Sequence, residues 1–265
     1  MTTDRHRLGQ YPTPQWVVEA LLQRYFPNLG ADDVVIDPAC GPGRFLLALP
    51  AETTALGVEI DPALAAQAAQ LTGRRIITGD FTRVELDIEP TAIIGNPPFQ
   101  LALIDRFLDR AHALLPNEGR VGFILPAYAF QTAARVAGYS ERWSIAQEFI
   151  PRNIYQGLKL PLVFATFTKD RRRALVGFAL YQETAEVQRL PRRVRELLEA
   201  TGGSAWRAVV RYALEQLGGE ARLDEIYAVV AGCRPTHSAW WQAQIRKVVR
   251  RDFVRTGPAR YAIAA

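Results

Sequence analysis

Short apolar runs alternate with amphipathic stretches through the first two thirds of the chain. Runs of this length, bounded by polar or glycine-rich segments, are typical of buried strands. They predict strands at 34–36, 55–59, 75–78, 92–95, 121–125, 145–150 and 162–168. Between several of these predicted strands, the apolar residues have the spacing of a helix, most clearly at 101–115. Because strands that alternate with helices favour parallel pairing, we predict an α/β fold with a doubly wound, mostly parallel seven-stranded sheet.

The pattern changes near residue 170. The apolar run at 175–181 is a candidate for the edge of the sheet, and a charged helical stretch ends in the linker-like segment 201–204. Helical spacing then predicts helices at 205–217, 222–231 and 236–251, with a β-hairpin turning at 256–259. Three helices and a hairpin outline a winged helix-turn-helix. We therefore predict an α/β domain at 1–185, a helical linker at 186–204 and a small winged-helix domain at 205–265.

Charge distinguishes the tail from the rest of the chain. Residues 171–265 hold 17 Lys and Arg against 9 Asp and Glu, a net charge of +8, whereas residues 1–170 carry −3. A basic domain indicates a polyanionic partner, so we predict nucleic-acid binding. The alternative is a small packing domain with solvated arginines. The residues predicted to bind DNA are Gln242, Arg246 and Arg250 on the third helix and Arg255 and Arg260 beside the hairpin.

Several classes of protein are disfavoured. The longest uncharged stretch, 90–104, has 15 residues and contains prolines, which is short of the roughly 20 apolar residues that span a bilayer. Cys40 and Cys233 lie far apart, which argues against a disulfide framework or a zinc site, and the three histidines lack metal-ligand spacing. We therefore expect a cytoplasmic protein without a metal and without membrane contact.

A glycine-rich loop follows the first predicted strand and opens a helix. It reads Asp37-Pro38-Ala39-Cys40-Gly41-Pro42-Gly43. Glycines let a ligand approach the backbone, and a helix amino terminus presents N–H groups to it. Acidic residues end the next two strands, Glu59 before Ile60 and Asp80 before Phe81. An acid about 20 residues after such a loop suits ribose hydroxyls. The set predicts a nucleotide-like site.

The most specific motif is Asn96-Pro97-Pro98-Phe99, after the fourth strand. Two prolines make a rigid corner and remove two backbone donors. The Asn96 amide oxygen and the Pro97 carbonyl are then both acceptors, and Phe99 can stack on a planar group.

Together these motifs resemble the class I S-adenosylmethionine-dependent methyltransferases with a Rossmann-like fold, and specifically the N6-adenine DNA methyltransferases. Tyr11-Pro12-Thr13-Pro14 resembles the family's N-terminal cofactor motif, and the motif order matches the γ arrangement. The resemblance covers about residues 8 to 168. It implies S-adenosylmethionine as cofactor and double-stranded DNA as partner, with the enzyme working alone or beside a cognate restriction endonuclease.

The resemblance also implies a role for each matching residue. The cofactor-binding residues would be Tyr11, Thr13, Asp37, Ala39, Gly41, Gly43, Glu59, Ile60, Asp80, Phe81 and Asn96. Asn96 and Pro97 would accept hydrogen bonds from the target amine, and Phe99 would stack on the extruded base. Tyr155 is the first candidate for the other face of that base, with Phe149 and Phe164 as alternatives, although a core position is the more natural role of Phe164.

The expected reaction is transfer of a methyl group to the N6 amine of a flipped-out adenine. Two acceptors on the amine favour a more pyramidal nitrogen that attacks the methyl group in line, so no base with a strongly shifted pKa is required. The same corner also suits RNA adenine or a protein glutamine amide. A further hypothesis is a DNA-binding protein built on a methyltransferase scaffold that has lost its activity. The intact motifs disfavour it. Because the tail is short, a homodimer or loops around 127–143 would add sequence specificity.

Overall fold

The computed structural model describes residues 13–151, 154–155, 159–201, 204–236 and 239–264. The chain divides into two compact units, with the division between Ala179 and Leu180. Each unit has its own hydrophobic core, and each is described by itself below.

The first unit is an eight-stranded sheet with helices. Its strands are β1 (Val34–Asp37), β2 (Thr54–Glu59), β3 (Arg75–Thr78), β4 (Ala92–Gly95), β5 (Arg120–Pro126), β6 (Ser144–Ile150), β7 (Leu162–Thr168) and β8 (Leu175–Val176). Its helices are α1 (Gln15–Tyr25), α2 (Arg44–Ala48), α3 (Pro62–Thr72), α4 (Leu101–Leu114) and α5 (Ala133–Ser140). The strand order is β3-β2-β1-β4-β5-β7-β6-β8. Strand β7 runs antiparallel to both β5 and β6, and the other pairs are parallel.

This topology confirms the predicted mostly parallel sheet but corrects its size from seven strands to eight. The added strand is β8, in which Leu175 pairs with Ile145 of β6 at the sheet edge. The apolar run at 175–181 therefore contributes only two residues to the sheet. Part of the predicted loop at 127–143 is also regular, since a 3₁₀ helix occupies Ala127–Phe130 and α5 follows it.

The order of the strands reverses between β1 and β4, in the middle of the sheet. Crossover connections leave this switch point in opposite directions, which opens a crevice outside the carboxyl ends of these strands. Both strands are largely buried, and Ile36 and Ile93 are completely so. The central strands thus place the loops that follow them, which carry the glycine-rich motif and the Asn-Pro-Pro-Phe motif, at one edge of a rigid sheet.

Over its described residues, the second unit contains five helices and a three-stranded sheet. Its elements are α6 (Tyr181–Arg189), α7 (Arg192–Thr201), α8 (Ala205–Gln216), β9 (Glu220–Arg222), α9 (Leu223–Ala231), α10 (Trp241–Asp252), β10 (Val254–Gly257) and β11 (Arg260–Ala262). The sheet is antiparallel, in the order β10-β11-β9. Leu190, Val194 and Leu197 are buried in its core. The segment predicted as a linker, 186–204, therefore belongs to the second unit.

Two details differ from the sequence-based expectation. The helical stretch at 186–200 is broken at Leu190, which is extended because the following Pro191 disfavours a helical conformation before it. Strand β9 has only three residues, of which only Ala221 is buried, so it leaves no detectable apolar pattern. Within the described residues, every helix is too short or too polar to span a bilayer.

Candidate active site

A cavity of about 580 Å³ opens at the carboxyl ends of the central strands. Its size is typical of sites for cofactors and small ligands. Nine of the eleven residues predicted to bind cofactor line it, namely Thr13, Asp37, Ala39, Gly41, Glu59, Ile60, Asp80, Phe81 and Asn96. Gly43 supports the loop from outside the lining, and Tyr11 lies outside the described residues. The sequence motifs therefore converge on one cavity, while their roles toward a ligand stay predictions.

The glycine-rich loop depends on two left-handed residues. Gly41 has φ +52° and Gly43, the residue before α2, has φ +89°. The loop is closed by hydrogen bonds from Cys40 N to the Val58 carbonyl (2.9 Å) and from Gly43 N to the Cys40 carbonyl (2.8 Å). The two glycines differ in their surroundings. A Cβ on Gly43 would lie 2.8 Å from Thr72 Cγ2, whereas a Cβ on Gly41 would meet nothing within 4 Å.

This difference predicts unequal effects of alanine. Gly43→Ala is expected to lower the free energy of unfolding by about 2–4 kcal/mol, because it adds steric overlap to an unfavourable φ. Gly41→Ala has only the backbone strain and should cost about 1 kcal/mol. Urea denaturation measures both. Gly138→Ala, in α5 with open space around it, is the control and should be neutral or slightly stabilising. Equal losses for Gly41 and Gly43 would contradict the crowding at Gly43.

Asp37 is the most buried acid of the site. It ends β1 with 1% of its surface exposed, and its Oδ1 accepts a hydrogen bond from Ala39 N at 3.3 Å. A Cβ on Gly95 would lie 2.5 Å from the same Oδ1, so the glycine at the end of β4 makes room for the carboxyl group. Burial, and to a smaller extent the nearby charge of Glu59, raises the pKa of Asp37 to about 8, although the hydrogen bond from Ala39 opposes this. This carboxyl group is therefore largely protonated near neutral pH.

Glu59 connects the glycine-rich loop with the segment that follows β2. Its carboxylate, 6% exposed, accepts hydrogen bonds from Gly41 N at 2.7 Å and from Asp61 N at 3.0 Å. The side chain of Ile60 is 65% exposed and lines the cavity next to it. An apolar side chain open to a cavity is suited to packing on a ligand ring.

Asp80 and Phe81 form another wall of the cavity. Burial favours the protonated form of Asp80, but hydrogen bonds from Thr82 N and Oγ1 and the charges of Arg106 and Arg83 outweigh it, and its pKa is lowered. Phe81 packs against Phe107 of α4, with ring centroids 5.1 Å apart. Phe107 and Leu103 also line the cavity. Sequence reasoning missed these two residues because they belong to the apolar face of an ordinary amphipathic helix.

The Asn-Pro-Pro-Phe corner follows β4 and borders the cavity with Asn96 and Pro98. The Asn96 amide nitrogen donates to the Thr13 hydroxyl oxygen at 3.3 Å. Pro97 is buried, and so is Phe99, whose carbonyl accepts a hydrogen bond from the Tyr128 hydroxyl at 2.5 Å. Tyr128 was not identified from the sequence. Its position two residues after β5, at the same edge of the sheet, was the available signal.

The three aromatic candidates for the second face of the base have different environments. Tyr155 is 7% exposed, and its hydroxyl donates to Thr13 Oγ1 at 3.1 Å, so it lies next to the Asn96 corner. Phe164 is buried in β7, as expected of a core residue, whereas Phe149 in β6 is 75% exposed. Since Phe99 and Tyr155 are both buried, stacking on a base would require their rings to become accessible. Their stacking roles stay predictions.

The predicted DNA-binding residues of the second unit are all exposed. Gln242, Arg246 and Arg250 occupy the exposed face of α10, and Lys247, which was not predicted, lies on the same face. Ile245 and Val248 are buried on the opposite face.

Neighbouring groups already engage several of these arginines. Arg246 donates to the Tyr227 hydroxyl at 3.2 Å, and Arg255 donates to the Gly257 carbonyl at 3.2 Å. Arg260 lies 3.6 Å from Glu220. Among the described residues, no group of three or more His, Cys, Asp or Glu side chains is arranged to hold a metal ion.

Comparisons with known proteins bear on the fold. No family model and no curated protein matches the sequence. A proposed class I S-adenosylmethionine-dependent methyltransferase from Listeria monocytogenes superposes with a TM-score of 0.51 at 16% identity, over 62% of this chain and 64% of that one.

Two further matches have lower scores. TrmN from Thermus thermophilus has a TM-score of 0.48 at 22% identity (58% of this chain, 48% of that one). The modification subunit of a proposed type I restriction enzyme from Vibrio vulnificus has 0.49 at 17% (63% and 46%). The match thus spans less than two thirds of each of these three proteins. The first unit has the Rossmann-like fold of the class I S-adenosylmethionine-dependent methyltransferases, with a mostly parallel eight-stranded sheet.

Proposed function

We propose that this protein transfers a methyl group from S-adenosylmethionine to the N6 amine of an adenine extruded from double-stranded DNA. The observation that carries the proposal is the position of the Asn96-Pro97-Pro98-Phe99 corner. It borders the same cavity as the glycine-rich loop, the acids that end β1 and β2, and the acid two residues after β3. In this proposal the methyl donor and the target amine bind side by side.

The cavity suits the proposed cofactor in its volume and in its lining residues. Gly41 provides a backbone surface without a side chain, and space remains open where its Cβ would be. The acids Asp37, Glu59 and Asp80 suit a ligand that carries a sulfonium, an ammonium and ribose hydroxyls. Ile60 and Phe81 offer apolar surface to an adenine ring. When bound, this cofactor supplies an electrophilic methyl group.

The Asn96 corner would supply the acceptors for the target amine. The amine lone pair of adenine is delocalised into the ring, which makes it a weak nucleophile. Hydrogen bonds from its two N–H groups to the Asn96 Oδ1 and the Pro97 carbonyl would favour the pyramidal form. The N–C bond then forms as the C–S bond breaks, and the extra proton leaves to solvent afterwards. Alignment and preorganised acceptors provide the rate enhancement.

The second unit supports DNA as the substrate. The order α8-β9-α9-α10-β10-β11 is compatible with the winged helix-turn-helix predicted from the sequence, and we propose that α10 and the β10–β11 hairpin contact the duplex. The exposed face of α10 carries Arg246, Lys247 and Arg250. Methylation of a protein side chain would not require this basic face of α10.

The direct test is methyl transfer from radiolabelled S-adenosylmethionine to duplex DNA, RNA and protein offered in parallel, followed by nuclease digestion and identification of the methylated base. We expect N6-methyladenine in duplex DNA. Label in RNA or in protein glutamine with none in DNA would leave the chemistry intact and replace the substrate. Absence of label in all three would contradict the proposal.

Duplex binding should depend on Arg250, which has no ion-pair partner among the described residues. Arg250→Ala is expected to weaken duplex affinity several-fold and to reduce the slope of log K against log salt concentration by about 1, as for the loss of one phosphate contact. Fluorescence anisotropy over a salt series measures both. Arg251→Ala is the matched control because Arg251 is paired with Asp252 at 2.8 Å. An unchanged salt slope for Arg250→Ala would remove this residue from the interface.

A further inference from the structure

One side chain, Thr13, connects the parts of the site. It lines the cavity and is 4% exposed. Its hydroxyl oxygen accepts hydrogen bonds from the Asn96 amide nitrogen at 3.3 Å and from the Tyr155 hydroxyl at 3.1 Å. These partners are 83 and 142 residues away along the chain. A single oxygen atom therefore joins three distant segments beside the Asn-Pro corner.

The backbone of Thr13 is held by the residue that follows the glycine-rich loop. Arg44, the first residue of α2, donates from Nη1 to the Thr13 carbonyl at 2.5 Å. Gln15 at the start of α1 donates in return to the Arg44 carbonyl at 3.4 Å. Because Arg44 directly follows Gly43, these bonds fix Thr13 relative to the glycine-rich loop. The position of the Thr13 hydroxyl is thus set by the cofactor side of the site.

A threonine hydroxyl can donate and accept, and here its oxygen accepts hydrogen bonds from both partners. Burial raises the pKa of Tyr155 to about 12, although the hydrogen bond to Thr13 opposes the shift, so the phenol stays protonated and acts as a donor. An asparagine amide has a donor end and an acceptor end, and rotation by 180° exchanges them. With the amide nitrogen of Asn96 bound at Thr13, the amide oxygen points away from Thr13.

We propose that Thr13 is a positioning residue that fixes the rotation of the Asn96 amide and so presents its oxygen, not its nitrogen, to the target amine. This inference rests on the proposed function. If the Asn96 amide were rotated by 180°, its nitrogen would face the target amine. Two donors would then meet, and the amine would lose an acceptor. Thr13 also makes this orientation depend on the glycine-rich loop, through Arg44.

Two substitutions separate the hydroxyl from the rest of the side chain. Thr13→Val keeps the shape and removes the hydroxyl, whereas Thr13→Ser keeps the hydroxyl. We expect Thr13→Val to lower kcat about 10- to 100-fold, the size of effect that slight misplacement of a reacting group produces. The Kd for S-adenosylmethionine, measured by calorimetry, should change less than about threefold. Thr13→Ser should keep kcat within about threefold. Equal losses in both variants would overturn the proposal.

A double-mutant cycle tests whether Thr13 acts through Asn96. In Asn96→Asp both terminal atoms of the side chain are oxygens, so there is no amide rotation to fix. Thr13→Val should therefore lower kcat much less in the Asn96→Asp background than in the wild type. The same loss in both backgrounds would show that Thr13 acts in some other way.

A spectroscopic readout keeps the test independent of activity. The side-chain amide protons of Asn96 can be assigned by NMR from their absence in Asn96→Asp. We expect their exchange with solvent to be slow in the wild type and in Thr13→Ser, and at least about tenfold faster in Thr13→Val. Unchanged exchange would overturn the positioning role whether or not any substrate is methylated. If exchange is faster in Thr13→Val but the wild-type protein methylates none of the substrates, the positioning role stands and only the proposed function is contradicted.

Discussion

Replacement of Asn96 by alanine is expected to lower kcat for methylation of duplex DNA about 100- to 1000-fold. This is the usual effect of removing one preorganised hydrogen-bonding group from a site where charge develops in the transition state. The amine of the target base would keep only the Pro97 carbonyl as an acceptor, and its nitrogen would stay closer to the planar, unreactive form. Single-turnover measurements with saturating enzyme isolate this chemical step from DNA binding and product release.

The matched control is Asn117→Ala. Asn117 carries the same side chain but lies exposed in the turn between α4 and β5, away from the cavity. Its replacement should leave kcat within about twofold of the wild type. An Asn96→Ala enzyme with a kcat within about threefold of the wild type would show that the Asn96 amide is not an acceptor in the reaction. A loss confined to KM would assign Asn96 to binding alone.

The sequence was sufficient to place most of this site because its parts are strand ends. A glycine-rich turn, an acid at the end of β2, an acid after β3 and Asn-Pro after β4 are local patterns. Parallel strands bring their carboxyl ends together, so these patterns meet at one edge once the sheet is predicted. The chain thus reveals Asp37, Glu59 and Asn96 as neighbours, although up to 59 positions separate them.

What the sequence could not supply are contacts between remote segments with ordinary local patterns. The bonds of Thr13 to Asn96 and Tyr155 depend on how α1 and the end of β6 pack beside the corner, and no local pattern marks them. Tyr128 and Phe107 belong to segments that look like any turn and any amphipathic helix. The eighth strand is two residues long, and its pairing with β6 is a property of the sheet edge.

The protonation of Asp37 could not be predicted from the sequence either. It depends on burial, and an Asp at the end of a strand looks the same in the sequence whether it is exposed or buried. With its pKa raised to about 8 by burial, the folded state binds a proton that the unfolded state releases near pH 4. The stability from this proton is complete below about pH 4 and is lost as the pH rises toward 8. In the free protein, Asp37 therefore destabilises the fold at alkaline pH.

Asp37→Asn removes this titration and keeps an oxygen for the hydrogen bond from Ala39 N. The free energy of unfolding of the variant minus that of the wild type should rise by about 3 kcal/mol between pH 5.5 and pH 8.5, at roughly 1.4 kcal/mol per pH unit below the pKa. Urea denaturation of the free protein at a series of pH values measures this difference. Any constant cost of the new amide cancels, because only the change with pH is compared. Asp32→Asn, at an exposed turn before β1, is the control for the substitution itself.

The same proton should couple to the cofactor. If an ionised Asp37 is needed to hold a cationic ligand, binding of S-adenosylmethionine below pH 8 must release the proton. The wild-type Kd would then fall up to tenfold for each pH unit between 6 and 8, and calorimetry in buffers of different ionisation enthalpy would detect the released proton. Asp37→Asn should bind more weakly and without this pH dependence.

A difference in stability that does not change with pH would show that the Asp37 carboxyl group titrates normally. A cofactor affinity with the same pH dependence in both proteins would place the linked proton on another group.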